Sequence, residues 1–169
     1  MDSKILIRSY NESDAETFYT WYHDPRMSRF FRGYTHGMSM EQCKVAPTIF
    51  KYSVLMGILQ PLGEPVGAVT LAPIDRVLPI YNVGGLIDPD FRGRGYMVEL
   101  AKQGIDWAFN KLNAHKLVIK CLPDNTKMLK DAEDYGFILE GISRRSCFLD
   151  GRVMDEVVYS LLKSEYKYG

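Results

Sequence analysis

Residues 84–96 read Gly-Gly-Leu-Ile-Asp-Pro-Asp-Phe-Arg-Gly-Arg-Gly-Tyr and lie between a predicted strand and a predicted helix. Glycines at 93 and 95 allow backbone N–H groups to turn inward together, and the start of the following helix adds partial positive charge. With Arg92 and Arg94 beside them, these amides predict a binding site for a diphosphate. The paired glycines at 84 and 85 predict a bulge or a close approach to the backbone within the strand.

Taken alone, the Arg-Gly-Arg-Gly run is also typical of an ordinary turn with solvated arginines, or of an RNA-binding tract. A Rossmann dinucleotide site is disfavoured, because no third glycine completes G-x-G-x-x-G and the strand is not the first of the chain. A P-loop pattern is absent as well. The interpretation therefore depends on the elements that surround the run.

Those elements alternate in a defined order. Apolar segments separated by short turns predict an antiparallel meander before the glycines, and Asp150-Gly151 predicts a hairpin near the end of the chain. The predicted strands cover 5–10, 53–59, 65–74, 79–88, 116–122, 136–149 and 152–162, and the predicted helices cover 13–24, 39–50, 96–112 and 124–135. This order predicts an α/β (α+β) fold: one domain over residues 1–169, with a mixed, mostly antiparallel central sheet and helices on both faces.

Composition excludes several classes of function. Lys plus Arg is 21 and Asp plus Glu is 21, so the net charge is zero, which disfavours a nucleic-acid-binding or polybasic membrane protein. Cys43, Cys121 and Cys147 form no C-x-x-C, so we expect free thiols and no metal site. Without an apolar run of about 18 residues or a signal-like N-terminus, we expect a cytoplasmic protein.

Four places in the chain resemble the GNAT acetyltransferase superfamily. Residues 92–97 resemble its acetyl-CoA signature (Arg or Gln, two residues, Gly, one residue, Gly or Ala), except that Met97 is bulkier than the signature's last residue. Residues 22–27 resemble the Asp-Pro turn of ribosomal-protein alanine acetyltransferase-like members. Asn125, eleven residues before Gly136-Phe137, and the closing hairpin over 140–155 resemble the same members.

The resemblance implies a single N-acetyltransferase-like domain that uses acetyl-CoA as cosubstrate. It implies a primary amine as acceptor, either a protein N-terminus or a small amino compound. We expect a monomer or homodimer, between which the sequence does not decide. The cofactor-binding residues that it implies are Leu86 and Ile87 for pantetheine, the amides of Arg92, Gly93, Arg94, Gly95, Tyr96 and Met97 for the diphosphate, and Asn125 for pantetheine. As a bare sequence feature, Asn125 is also typical of a helix N-terminus.

The resemblance does not assign catalytic residues. The positions where relatives carry proton-transferring side chains hold Asn82, Met128, Ala132 and Cys147 here. His36 and Tyr135 are candidates for the missing acid or base. A histidine in a glycine-flanked loop and a tyrosine at a helix end are nevertheless more often structural. The missing groups leave open a catalytically weakened CoA-binding sensor or scaffold.

The lack of these proton-transferring side chains also affects which class of amine is expected as the acceptor. An α-amine with a pKa near 8 is neutral about one time in ten at pH 7, whereas a lysine-like amine is neutral only about once in 2,500. An enzyme without a strong base is therefore expected to prefer an α-amine.

Overall fold

The computed structural model describes residues 5–27, 38–75, 77–149 and 151–167. Within these ranges the strands are β1 (Ile5–Ser9), β2 (Ser53–Leu59), β3 (Glu64–Pro73), β4 (Ile80–Ile87), β5 (Lys116–Cys121), β6 (Ile138–Leu149) and β7 (Arg152–Leu162). The α-helices are α1 (Ala15–His23), α2 (Met40–Lys44), α3 (Ala46–Phe50), α4 (Tyr96–Asn110) and α5 (Thr126–Asp134). The element order agrees with the sequence prediction.

The strands form a seven-stranded sheet in the order β1-β2-β3-β4-β5-β7-β6. The pairs β1–β2, β2–β3, β5–β7 and β6–β7 are antiparallel, whereas β4 and β5 are parallel over 80–82 and 116–118. A parallel pair requires a crossover connection, and α4 supplies it. The mixed, mostly antiparallel sheet confirms the predicted fold class.

Contacts group the chain into two compact units, Met1–Ala72 with Gly85–Gly104 and Pro73–Gly84 with Ile105–Gly169. In the first unit, helices cover both faces of the strands. Met56 of β2 packs in a buried cluster with Phe18 and Trp21 of α1. The next residue, Gly57, faces α4, where a Cβ would lie 2.8 Å from Leu100 Cδ1. Because successive side chains of a strand point to opposite faces of the sheet, Met56 faces α1 and Gly57 faces α4.

Side chains of α4 also hold the first strand. Glu99 Oε1 accepts the Ile5 amide at 2.9 Å, and Gln103 Nε2 donates to the Ile5 carbonyl oxygen at 2.7 Å. Gln103 Oε1 accepts the Ile7 amide at 3.3 Å. These bonds satisfy main-chain groups of β1 and fix the first turns of α4 against the strand.

Gly67 of β3 is required by a close approach of main chain. A Cβ at this position would lie 2.4 Å from the Leu86 carbonyl oxygen and 2.8 Å from Ile87 Cδ1. Glycine therefore sets how near the end of β4 lies to β3. The end of β4 is where the glycine-rich turn begins.

The predicted helix over 39–50 was wrong in one respect, because the segment forms two short helices that meet at Val45. Pro47 has no N–H to donate to the carbonyl of Cys43, four residues earlier. The Tyr10 hydroxyl donates to that carbonyl instead. The run of main-chain hydrogen bonds along the helix is therefore interrupted at Cys43, whose carbonyl oxygen accepts from the side chain of Tyr10.

In the second unit, β5 lies between β4 and β7, and α5 is tied to β7. Tyr159 of β7 donates its hydroxyl to Glu133 of α5 at 2.8 Å. Gly136, at a φ of +86°, ends α5 as the sequence predicts. The strands β6 and β7 form the predicted hairpin, in which Gly151 has a φ of +75° and Asp150 lies outside the described residues.

We predict that Gly67→Ala lowers the free energy of unfolding by about 1–3 kcal/mol, because the added methyl group overlaps the Leu86 carbonyl oxygen. The matched control is Gly85→Ala, where the nearest atoms to a Cβ would be those of the flexible Met97 side chain at 3.4 Å, and the Ala68 carbonyl oxygen would lie at 3.8 Å. Urea denaturation of both variants checks this. Equal stability of the two variants would contradict the close approach at Gly67.

Candidate functional site

The turn between β4 and α4 has an unusual main-chain conformation. Asp88 Oδ1 accepts the Asp90 amide at 2.9 Å and opens a single 3-10 turn over Pro89–Phe91. Gly93 and Gly95 follow with φ angles of +77° and +79°. A Cβ at either glycine would meet no atom within 4 Å. These glycines are therefore needed for backbone conformation and leave open space beside the main chain.

The turn leads directly into the N-terminus of α4, a helix of 15 residues. The first four N–H groups of an α-helix have no carbonyl acceptor within the helix, and the helix dipole places partial positive charge at the same end. Here Val98 makes the tight first bond, donating to the Gly95 carbonyl at 3.0 Å. Positive-φ glycines with open space beside them, next to the positive end of a helix, form an arrangement that fits an anion.

The two arginines of the turn have different surroundings. The Arg94 guanidinium is exposed and lies over the Phe91 ring, 5.4 Å from its centroid. The Arg92 guanidinium donates to main chain, with Nε 3.4 Å from the Ile87 carbonyl oxygen and Nη2 3.3 Å from that of Arg26. The Arg92 amide donates to the Pro89 carbonyl at 3.4 Å. The Arg92 amide, which we expected to bind the diphosphate, therefore already has a hydrogen-bond acceptor within the turn.

A side-chain network joins the turn to the end of α1, and sequence reasoning missed it. Trp21 Nε1 donates to Asp88 Oδ2 at 2.7 Å, although the indole ring is buried. Arg26 bridges Asp24, at 2.7 Å, and Asp90, at 2.8 Å. Hydrogen bonds from Arg26 hold the pKa of Asp24 below its usual range. Helical spacing correctly assigns the Trp21 ring to the core, but no sequence signal marks an N–H partner 67 residues away.

The expected pantetheine-binding residues, Leu86 and Ile87, are buried at the end of β4. The side chain of Met97, the residue that departs from the signature, lies beside Gly85, with Sδ and Cε each 3.4 Å from where a Cβ would be. At Gly67 the main chain lies nearer, with the Leu86 carbonyl oxygen 2.4 Å from where a Cβ would be. The bulge or close approach predicted for the pair at 84 and 85 stays a prediction.

Asn125 belongs to the second unit, where it is the N-cap of α5. Its Oδ1 accepts the Met128 amide at 3.3 Å, and the residue is exposed. The cap satisfies one of the unpaired amides of the helix N-terminus. The predicted contact of Asn125 with pantetheine stays a prediction.

The positions expected to carry proton-transferring groups contain no carboxylate, imidazole or phenol. Asn82 has a buried Oδ1 atom with no hydrogen-bond partner among the described residues. Ala132 is fully buried, Cys147 is buried beside Leu122 and Leu149, and Met128 contributes its amide to the cap.

Of the two substitute candidates, Tyr135 is described and His36 lies outside the described residues. The Tyr135 hydroxyl is buried, and within the described ranges it has no hydrogen-bond partner. Burial, together with the carboxylates of Asp131 and Asp134, raises its pKa to about 12. The hydroxyl therefore keeps its proton at neutral pH.

The part of the chain that the structure describes contains no group of three or more His, Cys, Asp or Glu side chains able to hold a metal ion. Cys43, Cys121 and Cys147 are buried free thiols. No helix in the described ranges is long and apolar enough to cross a membrane.

Comparisons with known proteins point to one family. A family model described as acetyltransferase (GNAT) domain matches residues 4–138. The chain is 24% identical over 170 residues to the uncharacterized N-acetyltransferase p20 of Bacillus licheniformis, covering 96% of this chain and 95% of that protein.

Two solved structures share the fold. The spermidine N-acetyltransferase from Vibrio cholerae, in complex with CoA and spermine, matches with a TM-score of 0.85 and 21% identity over 96% of this chain and 98% of that one. The ribosomal-protein-S5-alanine acetyltransferase from Vibrio fischeri matches with a TM-score of 0.81 and 20% identity, covering 96% and 95% of the two chains.

Proposed function

Because the chain belongs to the GNAT acetyltransferase family, we propose that the turn between β4 and α4 is its acetyl-CoA site and that its acceptor is an α-amine. The family reaction is transfer of an acetyl group from acetyl-CoA to an amine, and the chain is an acetyl-CoA-dependent N-acetyltransferase. The proposal concerns the residues that perform this reaction, and the class of amine.

The observation that carries the cofactor site is the pair of positive-φ glycines with open space beside them. The amides from Gly93 to Met97 would hold the diphosphate, and the exposed Arg94 guanidinium would add charge. The main chain of Leu86 and Ile87 would bind pantetheine as an added strand does. Asn125 uses Oδ1 for its cap, and its separate Nδ2 donor would meet the pantetheine arm.

The cosubstrate supplies an activated acetyl thioester, and the chain must supply donors for the oxygen that gains charge and a proton for the departing thiolate. Backbone N–H groups near 85–87 would donate hydrogen bonds to the thioester oxygen as it gains charge. Holding both reactants in one cleft supplies much of the remaining acceleration.

The missing base supports an α-amine acceptor. Asn82 stands where relatives carry a carboxylate, and an amide oxygen does not take up a proton at neutral pH. The amine must therefore arrive neutral, which favours a nitrogen with a pKa near 8 over one near 10.4. A protein N-terminus or a small amino compound with an α-amine meets this condition.

The buried hydroxyl of Tyr135 supports a role as the proton donor to the thiolate. The hydroxyl is buried and has no hydrogen-bond partner among the described residues, so its proton is not engaged by another group there. A buried hydroxyl without a partner normally costs about 1–3 kcal/mol, and a role in proton transfer accounts for that cost.

We further propose one N-acetyltransferase-like domain over residues 1–169, active in the cytoplasm as a monomer or homodimer and independent of nucleic acid and membranes. Zero net charge and three buried free thiols support this setting.

Gly95→Ala tests the cofactor site. An L-residue at φ +79° is strained by about 1–2 kcal/mol, and the turn relaxes by moving its amides. We expect CoA affinity, measured by calorimetry, to fall about tenfold. The control is Gly136→Ala, which carries similar strain at φ +86° at the end of α5 and should leave CoA affinity unchanged. Equal CoA affinity of Gly95→Ala and the unmodified protein would contradict the site.

Acceptor preference is tested by comparing kcat/KM for a peptide with a free N-terminal alanine and for spermidine. We expect the peptide to react at least about tenfold faster at pH 7, because far more of its α-amine is neutral. Its kcat/KM should rise tenfold per pH unit up to the pKa of the amine. Faster acetylation of spermidine than of the peptide would refute the α-amine proposal.

Tyr135→Phe separates a catalytic from a structural hydroxyl. We expect kcat to fall about a hundredfold, with Tm unchanged or raised because an unpartnered buried hydroxyl is removed. Tyr159→Phe is the control, since its hydroxyl binds Glu133, and it should lower Tm while leaving kcat unchanged. An unchanged kcat in Tyr135→Phe would assign the hydroxyl no part in the reaction.

A further inference from the structure

Arg92 joins three segments of main chain in the first unit. Its Nε lies 3.4 Å from the carbonyl oxygen of Ile87, the last residue of β4. Its Nη2 lies 3.3 Å from the carbonyl oxygen of Arg26 and 3.0 Å from Met27 Sδ, in the turn that follows α1. Arg92 itself is the first residue of the segment 92–95 between β4 and α4, which we call the glycine turn. One guanidinium group therefore fixes the strand end, the glycine turn and the turn after α1.

The planar guanidinium suits this arrangement because its donors point in fixed, divergent directions. The fork places one N–H on each carbonyl oxygen, and Met27, which it also touches, is fully buried. A residue that met the diphosphate only through its charge would not need this geometry. Arg94, two residues further on, lies over the Phe91 ring; both arginines are exposed, but their guanidinium groups contact different partners.

We propose that Arg92 is a positioning residue, which sets the distance between the end of β4 and the amides of the glycine turn, while Arg94 supplies the positive charge that faces the diphosphate. The proposal rests on the acetyl-CoA site proposed above. It assigns the first arginine of the turn to main-chain geometry and predicts that its donors matter more than its charge.

Three substitutions of Arg92 separate the effect of its hydrogen-bond donor from the effect of its positive charge. In Arg92→Gln, the side-chain Nε2 occupies the place of Arg Nε, so a neutral residue keeps the donor to the Ile87 carbonyl. In Arg92→Lys, the charge remains but a methylene group stands at that place. In Arg92→Met, both the donor and the charge are lost. Arg94→Gln removes the other charge of the turn.

The measurement is the Kd for CoA by calorimetry at several salt concentrations, with Tm recorded to exclude unfolded variants. We expect Arg92→Gln to weaken binding by less than about threefold, and Arg92→Lys and Arg92→Met to weaken it about tenfold, the effect of losing one charged hydrogen bond. These variants should keep the salt dependence of the unmodified protein, because Arg92 acts through its hydrogen bonds to main chain. Arg94→Gln should reduce it, because salt screens the attraction between the Arg94 charge and the diphosphate. Lys111→Gln, at the far end of α4, controls for loss of a surface charge.

If Arg92→Lys binds CoA better than Arg92→Gln, or if Arg92→Gln reduces the salt dependence as Arg94→Gln does, the charge of Arg92 meets the diphosphate and the proposal is wrong. The comparison of Gln with Lys remains decisive even if Arg92→Met does not fold. Failure of the acetyl-CoA site itself would look different, since Gly95→Ala and Arg94→Gln would then also leave the Kd unchanged.

Discussion

Gly93 and Gly95 hold φ angles of +77° and +79°, which cost an L-residue with a side chain about 1–2 kcal/mol each. At both glycines the space beside the main chain is open, since a Cβ there would meet no atom within 4 Å. Any larger residue would either relax the turn or fill that space. The chemistry proposed for the chain thus depends on a backbone conformation, with charged side chains in a supporting role.

The surrounding structure keeps this turn in place from both ends. Gly67 lets the end of β4 lie close against β3, and Glu99 and Gln103 fix the beginning of α4 to β1. Asp88 and Arg92 then tie the turn to α1 through the Trp21 indole and the Arg26 carbonyl. Such support is what a binding site built from main chain requires, since backbone amides cannot be re-aimed by a change of rotamer.

Periodicity and turn chemistry predicted the order of the elements, because apolar spacing and glycine positions are local properties of the sequence. The break at Val45 could not be found in this way, since it involves the Tyr10 hydroxyl, 33 residues from the carbonyl that it binds. Likewise, the signature located the glycine turn but could not show that Arg92 faces main-chain carbonyls. The sequence did not assign the catalytic groups, because Asn82, Met128, Ala132 and Cys147 stand where relatives carry proton-transferring side chains. It named Tyr135 as a candidate but could not show that its hydroxyl is buried without a partner among the described residues.

The most direct measurement is a backbone amide NMR titration of the folded protein with CoA. If the glycine turn holds the diphosphate, the largest chemical-shift changes will fall on the amides from Gly93 to Met97, and they will saturate with the Kd measured by calorimetry. Saturable CoA binding that leaves those amides unshifted would contradict the assignment of the turn.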